Sequence, residues 1–246
     1  MYGDIVGPSS ERTNVRFQKT DVTSYDSILG LFDLALETYG QVDIAVSNAG
    51  LVERGNIFDP SLDLETIREA PNMSVLDVNL TGTIYFARIA SVYLRHNAKE
   101  GDDKSLVLLS SVAGFYDNPG LFVYQSTKHG VIGLMRSLRS IAPATLGFRI
   151  NCVCPWATDT AMIASFVAAW KKANLPLNSS ADVASTIVSL ATDGASNGKS
   201  IYVEGGRAWD VEEGITRLAP QWLGQAQYDS LEKGQEFFGS GAAWSS

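Results

Sequence analysis

The sequence predicts an α/β fold in which a doubly wound parallel sheet is covered by helices on both faces. Two observations favour it. Short apolar runs, typical of buried strands, alternate with longer stretches whose apolar residues recur at helical spacing. The chain also has 246 residues, 45% of them hydrophobic, which is enough for one sizeable core. The predicted strands cover 14–19, 42–46, 105–109, 148–153 and 201–203, and the predicted helices cover 24–39, 74–95, 122–138 and 180–191.

The first two elements have clear local signals. In the first strand, Val15 and Phe17 alternate with polar residues, as in a strand with one buried face. In the first helix, Thr23 or Ser24 is a suitable N-terminal cap, and Gly40 is a suitable residue to end it.

The later elements are longer and more apolar. The runs 42–46 and 105–109 are typical of strands that are buried on both faces. Helix 74–95 contains Asn79, an unfavourable residue inside a helix, which therefore needs a reason to be there. Residues 161–177 carry an apolar stripe and predict a lid over a pocket for a hydrophobic substrate. The stripe consists of Met162, Ile163, Phe166, Val167 and Trp170.

Three polar residues stand where the predicted sheet and helix meet. Ser111 follows the apolar strand 105–109, and Tyr124 and Lys128 lie four residues apart on the next helix. Positions i and i+4 share one helix face, so the tyrosine and the lysine should point into the same cleft. Such a pair also occurs by chance on surface helices. The serine at a strand end thirteen residues before the tyrosine favours a functional site.

These residue types are suited to proton transfer. A phenol has a pKa near 10 and exchanges protons poorly at neutral pH. A nearby ammonium favours the phenolate, so we expect Lys128 to lower the pKa of Tyr124. Tyr124 would then act as a general acid or base on a hydroxyl or carbonyl group, which Ser111 would hold.

Composition excludes several classes of function. The net charge is -8 and Lys and Arg are not clustered, which argues against nucleic acid or an anionic membrane as a partner. No apolar run reaches the roughly 18 residues of a membrane-spanning helix, and the N-terminus has no signal-like core. We therefore expect a cytoplasmic protein. Cys152 and Cys154 should be reduced core thiols, and no metal site is expected.

Taken together, these stretches resemble the short-chain dehydrogenase/reductase family. The resemblance extends over about residues 14–209. Besides Ser111, Tyr124 and Lys128, it rests on Asn48-Ala49-Gly50 after a strand, Asp77-Val78-Asn79 in a helix, Arg149 to Pro155, and Ile201 to Gly206. The runs 155–160 and 206–209 are similar to fungal members akin to 15-hydroxyprostaglandin dehydrogenases.

The resemblance implies a Rossmann-like sheet and an NAD(P)-dependent oxidoreductase that interconverts a secondary alcohol and a ketone. Tyr124 would transfer the proton, Lys128 would lower its pKa and hold the nicotinamide ribose, and Ser111 would position the substrate oxygen. Asn79 would bend its helix and hold a water in a proton relay, although it could simply bond to neighbouring backbone. A homodimer or homotetramer is also expected.

The resemblance assigns further residues to the cofactor, NAD or alternatively NADP. Asp4 would bind the adenosine ribose and select NAD, unless the chain start is disordered. Asp21 and Val22 would contact adenine, although Asp21 also suits a helix start. The remaining implied contacts are Asn48, Ala49, Gly50, Tyr124, Lys128, Pro155, Trp156, Thr158 and Thr160. Trp156 stands where the family usually has glycine, which changes the backbone freedom and the volume of that loop.

The start of the chain departs from the family pattern. No strand, glycine-rich turn and helix, which would bind a pyrophosphate, precede residue 14. We therefore expect a domain over 1–206 that lacks its first strand, glycine loop and first helix. Residues 207–246 would form an aromatic tail, packed on the domain, on a partner subunit or over the active site.

Three alternatives remain open at the level of sequence. The fold could have lost redox chemistry and catalyse a cofactor-free isomerisation, elimination or cyclisation with Tyr124 and Ser111. It could be a non-catalytic homologue whose tail mediates assembly. The chain could also start at an internal methionine of a longer protein.

Overall fold

The computed structural model describes residues 1–8 and 13–238. The strands are β1 (Tyr2–Asp4), β2 (Phe17–Lys19), β3 (Ile44–Ser47), β4 (Ser105–Leu109), β5 (Arg149–Pro155), β6 (Ser200–Glu204) and β7 (Arg207–Asp210). The helices are α1 (Tyr25–Tyr39), α2 (Ser74–Leu76), α3 (Gly82–Tyr93), α4 (Phe122–Leu138), α5 (Ala164–Lys172), α6 (Ser180–Thr192), α7 (Val211–Leu223) and α8 (Gln225–Phe238). From β2 to β6, strands alternate with helical segments, as the sequence predicts.

The larger sheet has the strand order β3-β4-β5-β6-β7. Strands β3 to β6 pair in parallel, and β7 runs antiparallel to β6. The predicted α/β fold with a Rossmann-like parallel sheet is therefore confirmed. Strand β7 was not predicted, because its polar and exposed residues carry no strand pattern.

Strands β1 and β2 form a separate parallel pair. Among the described residues, no strand joins this pair to β3, so the sheet is in two parts. Helix α1 connects the parts, because it follows β2 in the chain and packs on α3 through Phe32 and Phe86, whose ring centroids are 5.1 Å apart. Ser24 caps α1 and Gly40 ends it in a left-handed conformation, as predicted.

The core lies on both faces of the larger sheet. Successive side chains of a strand point to opposite faces. In β4, Leu106 and Leu108 pack with α3 and α4, whereas Val107 packs with α6. The same alternation places Cys152 and Cys154 of β5 on the first face, where both are buried and free.

The segment after residue 206 continues the fold. Strand β7 pairs with β6, and the Glu212 carboxylate of α7 is buried against Arg136 of α4 and Arg139 just after it, at 2.9 Å from each. It also accepts a hydrogen bond from Ser200 of β6 at 2.8 Å. The domain boundary expected after residue 206 thus falls between β6 and β7, which pair with each other. Trp244, an expected tail aromatic, lies outside the described residues, as does the side chain of Phe238.

No helix in the described part of the chain is long and apolar enough to cross a membrane.

Candidate active site

Ser111 is delivered by the end of β4. It is the second residue after the strand and caps a short 3-10 turn, Val112–Gly114, by accepting a hydrogen bond from the Ala113 N–H at 3.2 Å. Its hydroxyl donates to the carbonyl of Pro155 at the end of β5, at 3.4 Å. Because parallel strands end at one edge of the sheet, the two strand ends form one wall of the site.

Tyr124 and Lys128 lie on one face of α4, as their spacing predicts. The Lys128 ammonium lies 5.5 Å from the centroid of the Tyr124 ring. It donates a hydrogen bond to the Leu109 carbonyl at 3.0 Å, so the last residue of β4 holds the lysine in place. The Ser111 hydroxyl lies close enough to the Tyr124 side chain to lower the pKa of the phenol. The structure therefore brings together the serine, tyrosine and lysine that the sequence singled out.

The electrostatics of this cluster differ from the expectation. Burial raises the pKa of Tyr124 above its ordinary 10.0, and the hydrogen bond with Ser111 only partly opposes this. Burial also lowers the pKa of Lys128 from 10.5 to about 8. The prediction that the pKa of Tyr124 lies below its ordinary value is therefore wrong for this structure. The reason is that loss of solvent disfavours the charged form of both groups.

Asn79 lies in a π-helical segment, Asp77–Thr81, between α2 and α3. The predicted helix is thus interrupted where the asparagine was expected to bend it. The side chain is buried and holds the backbone of Leu51 on both sides: its Oδ1 accepts from the Leu51 N–H at 2.7 Å, and its Nδ2 donates to the Leu51 carbonyl at 2.8 Å. This pairing ties the loop after β3 to the helix.

The small residues after β3 lie beside the cluster of Ser111, Tyr124 and Lys128. Asn48 and Ala49 are exposed and Gly50 is half-buried. A Cβ at Gly50 would lie 3.5 Å from the Asn79 Oδ1 and 3.7 Å from the Lys128 Nζ. Gly50 thus leaves the approach to the lysine narrow but open.

Two contacts of the site were missed by sequence reasoning. The carboxylate of Glu53 accepts a hydrogen bond from the Tyr124 N–H at 2.7 Å. Thr127 donates to the Tyr124 carbonyl at 2.6 Å and accepts from Asn79 at 3.3 Å. Glu53 carries no local signal, because its partner is 71 residues away. The i, i+3 spacing of Tyr124 and Thr127 is visible in the sequence but is common on helices.

Asp4, Asp21 and Val22 lie together at the ends of β1 and β2. The Asp4 carbonyl accepts from the Thr20 N–H at 2.9 Å, which brings the two strand ends side by side. Asp4 and Asp21 are exposed, and Asp21 caps the N–H of Thr23 at 2.9 Å. Hydrogen bonds from Thr23 lower the pKa of Asp21, which keeps it ionised.

The loop after β5 carries the other expected cofactor contacts. The Trp156 ring packs edge-on against Trp170 of α5, with centroids 5.4 Å apart. Thr158 donates to the Trp156 carbonyl at 2.9 Å, so its hydroxyl is used within the loop. Thr160 is exposed. The structure therefore places Pro155 beside Ser111, whereas Trp156 faces the expected lid.

Comparison with known proteins agrees with this geometry. A family model described as short chain dehydrogenase matches residues 8–170. The chain belongs to the short-chain dehydrogenase family.

Similar family members include fungal and bacterial proteins. The short-chain dehydrogenase/reductase prx4 of Penicillium rubens is 33% identical over 241 residues, which cover 90% of this chain and 71% of that protein. The cis-4-hydroxycyclohexanecarboxylate dehydrogenase of Sinomonas cyclohexanicum is 33% identical over 196 residues, covering 76% and 74%. Among solved structures, ligand-free aldohexose dehydrogenase of Thermoplasma acidophilum superposes with a TM-score of 0.67 at 26% identity, covering 83% and 82%.

Two groups of residues could hold the two ends of a nicotinamide dinucleotide. The opening at Gly50 beside Lys128 suits a ribose, and the exposed carboxylates of Asp4 and Asp21 suit the hydroxyls and base of an adenosine. Within residues 1–8 and 13–238, no glycine-rich turn leads from a strand into a helix before β3. The described residues therefore do not supply the usual site for the pyrophosphate.

Proposed function

We propose that this chain is an NAD(P)-dependent oxidoreductase that interconverts a secondary alcohol and a ketone. The observation that carries the proposal is the cluster in which the Tyr124 side chain lies beside the Ser111 hydroxyl and the buried Lys128. The bacterial relative is named a cis-4-hydroxycyclohexanecarboxylate dehydrogenase, and this name supports an alcohol as the substrate.

In this proposal, Tyr124 is the general acid for ketone reduction. Its raised pKa keeps the phenol protonated at neutral pH, so it has a proton to give to the carbonyl oxygen. The Ser111 hydroxyl holds the same oxygen. A nicotinamide cofactor, when bound, supplies or accepts the hydride. In alcohol oxidation, Tyr124 takes the proton back.

Lys128 stabilises the phenolate that forms when Tyr124 gives up its proton. With a pKa of about 8 it is mostly charged at neutral pH, and its ammonium already lies against the tyrosine ring. Asn79 holds the loop that begins at Leu51 and so fixes the opening at Gly50 where a ribose would lie. A water-mediated relay through Asn79 is part of the same proposal.

The remaining assignments complete the proposal. Asp4 binds the adenosine ribose and favours NAD over NADP, with Asp21 and Val22 next to the adenine. The aromatic pair Trp156 and Trp170 favours a hydrophobic alcohol or ketone. We also propose a cytoplasmic homodimer or homotetramer of the 15-hydroxyprostaglandin dehydrogenase-like branch. No observation favours a cofactor-free reaction over a nicotinamide-dependent one.

Replacement of Tyr124 by phenylalanine tests the proposal. It removes only the hydroxyl, so we expect turnover of secondary alcohols to fall about 10²- to 10⁴-fold while nucleotide binding is retained. Turnover is measured by the absorbance of the reduced nicotinamide. The control is Tyr116→Phe, because Tyr116 is 70% exposed on the neighbouring loop. Full activity of Tyr124→Phe would show that this tyrosine is not the acid.

A further inference from the structure

We propose that Glu53 is a positioning residue for Tyr124. Its carboxylate fixes the first turn of the catalytic helix from the loop that follows β3. The kinetic part of this proposal rests on the proposed oxidoreductase function, whereas its structural part does not.

The contact supplies a hydrogen-bond acceptor that the start of α4 otherwise lacks. The first N–H groups of a helix have no acceptor within the helix, and Tyr124 is the third residue of α4. Leu121, at the capping position, makes no side-chain cap within the described chain. Glu53 Oε2 accepts from the Tyr124 N–H at 2.7 Å instead. A carboxylate is favourable here, because the N-terminus of a helix is electropositive and a charged acceptor strengthens the bond.

The segment that carries Glu53 is itself held in place. Two residues before Glu53, the backbone of Leu51 is paired on both sides with the buried side chain of Asn79. Residues 51–53 therefore form a bridge with one end on the π-helical segment and the other on the first turn of α4. Gly50, beside Lys128, immediately precedes this bridge. The opening for a ribose and the proton donor are thus fixed relative to each other.

Protein stability alone does not explain why residue 53 is a glutamate. Glu53 Oε1 is buried, and no partner for it exists among the residues that the structure describes. A buried polar atom without a partner costs folding free energy. An apolar residue would avoid that cost but would leave the Tyr124 N–H without its acceptor. The contact with Tyr124 is the feature that distinguishes glutamate from an apolar residue at this position.

Loss of the contact should displace the phenol. The Tyr124 hydroxyl must meet both Ser111 and a substrate oxygen, and errors of about 1 Å in such an arrangement cost about 10²-fold in rate. We therefore expect substitutions of Glu53 to act on kcat, since substrate binding does not depend on the exact direction of the proton donor.

Amide hydrogen exchange at Tyr124, followed by NMR, tests the contact without any activity. Glu53→Ala and Glu53→Asp both remove the contact. The aspartate keeps the charge, but its side chain is one methylene too short to reach the Tyr124 N–H. We expect the Tyr124 N–H to exchange about ten- to a hundredfold faster in both. Glu53→Gln keeps an acceptor oxygen and should stay close to the wild type. The control is Asp59→Ala, since Asp59 caps Ser61 in the same loop and does not touch α4. Unchanged exchange in Glu53→Ala and Glu53→Asp would overturn the proposal.

Steady-state kinetics on the same variants test the consequence. We expect kcat to fall about ten- to a hundredfold in Glu53→Ala and Glu53→Asp, with KM within about threefold of the wild type, and to recover in Glu53→Gln. A merely structural role would lower the melting temperature and leave kcat of the remaining folded enzyme unchanged, which contradicts the proposal. A wild type that turns over no alcohol or ketone would refute the proposed function, whereas the exchange measurement would still decide whether Glu53 holds Tyr124.

Discussion

Burial of the Lys128 side chain beside Tyr124 lowers the stability of the folded protein. Its side chain is almost completely buried, and its ammonium donates to a backbone carbonyl rather than to a carboxylate. Burial therefore lowers its pKa from 10.5 to about 8. A native state that disfavours a charge is less stable wherever that charge is present.

Replacement of Lys128 by methionine should stabilise the protein and abolish turnover. The apolar side chain removes the burial penalty, and from the pKa shift we expect a gain of up to about 3 kcal/mol at pH 7. Unfolding in urea at several pH values measures it. The unfolded state keeps the Lys128 proton up to pH 10.5 and the native state loses it near pH 8, so the stability of the wild type should rise across this window.

The gain in the methionine variant should therefore be largest below pH 8 and disappear towards pH 10.5. Lys172→Met, at an exposed position near the end of α5, serves as the control and should change little. A gain that does not depend on pH would contradict this account of Lys128.

At the residue scale, the sequence predicts the clustering of Ser111, Tyr124 and Lys128 better than their surroundings. Ser111, Tyr124 and Lys128 were found because a strand end and a helical spacing of four place them by local rules. The direction of the Tyr124 pKa was wrong, since burial depends on the whole fold. Glu53 was missed for a related reason, because its contact with Tyr124 forms only when β3 and α4 come together.

At the scale of elements, the interrupted helix over residues 74–93 contacts both the loop after β3 and the end of β2, the two parts of the proposed cofactor site. Its π-helical segment presents Asn79 to Leu51, and Gly82, the first residue of α3, lies against Val22. A Cβ at Gly82 would be 2.8 Å from the Val22 carbonyl oxygen. The helix and the end of β2 can approach this closely only because residue 82 has no side chain.

Replacement of Gly82 by alanine should therefore destabilise the fold, by about 1–3 kcal/mol, because a backbone atom must move. The shift of the urea unfolding midpoint measures the effect. The matched control is Gly133→Ala in α4, where a Cβ would have no heavy atom within 4 Å. Alanine is the better helix former and should add roughly 0.5–1 kcal/mol there. Equal responses of the two variants would contradict the close approach of Val22.

Elements with strong periodicity were predicted closely, and weakly patterned ones were not. Strand β4 matches its prediction, because a short continuous apolar run is typical of a strand buried on both faces. Strand β2 is shorter than predicted, since its alternation was brief. Helices α7 and α8 were expected only as an aromatic tail, because α8 is polar and the buried Glu212 that attaches α7 does not look like a core residue in sequence.

At the scale of the whole molecule, the two parts of the sheet hold the two ends of the proposed cofactor site. Asp4, Asp21 and Val22 lie at the ends of β1 and β2, whereas Gly50, Tyr124 and Lys128 lie at the other part. Helices α1 and α3 hold the parts together through their aromatic contacts. The sequence predicted both groups of residues from motifs, but the division of the sheet between them became visible only in the paired strands.

Binding of NADH and NADPH to the purified chain is the most direct test of the central claim. Tryptophan fluorescence reports it, with the chain first shown to be folded by circular dichroism. We expect saturable binding, tighter for NADH because Asp4 would repel the additional phosphate of NADPH, and we expect Tyr124→Phe to retain nucleotide binding. Absence of saturable binding of either nucleotide to the folded chain would contradict a nicotinamide-dependent oxidoreductase.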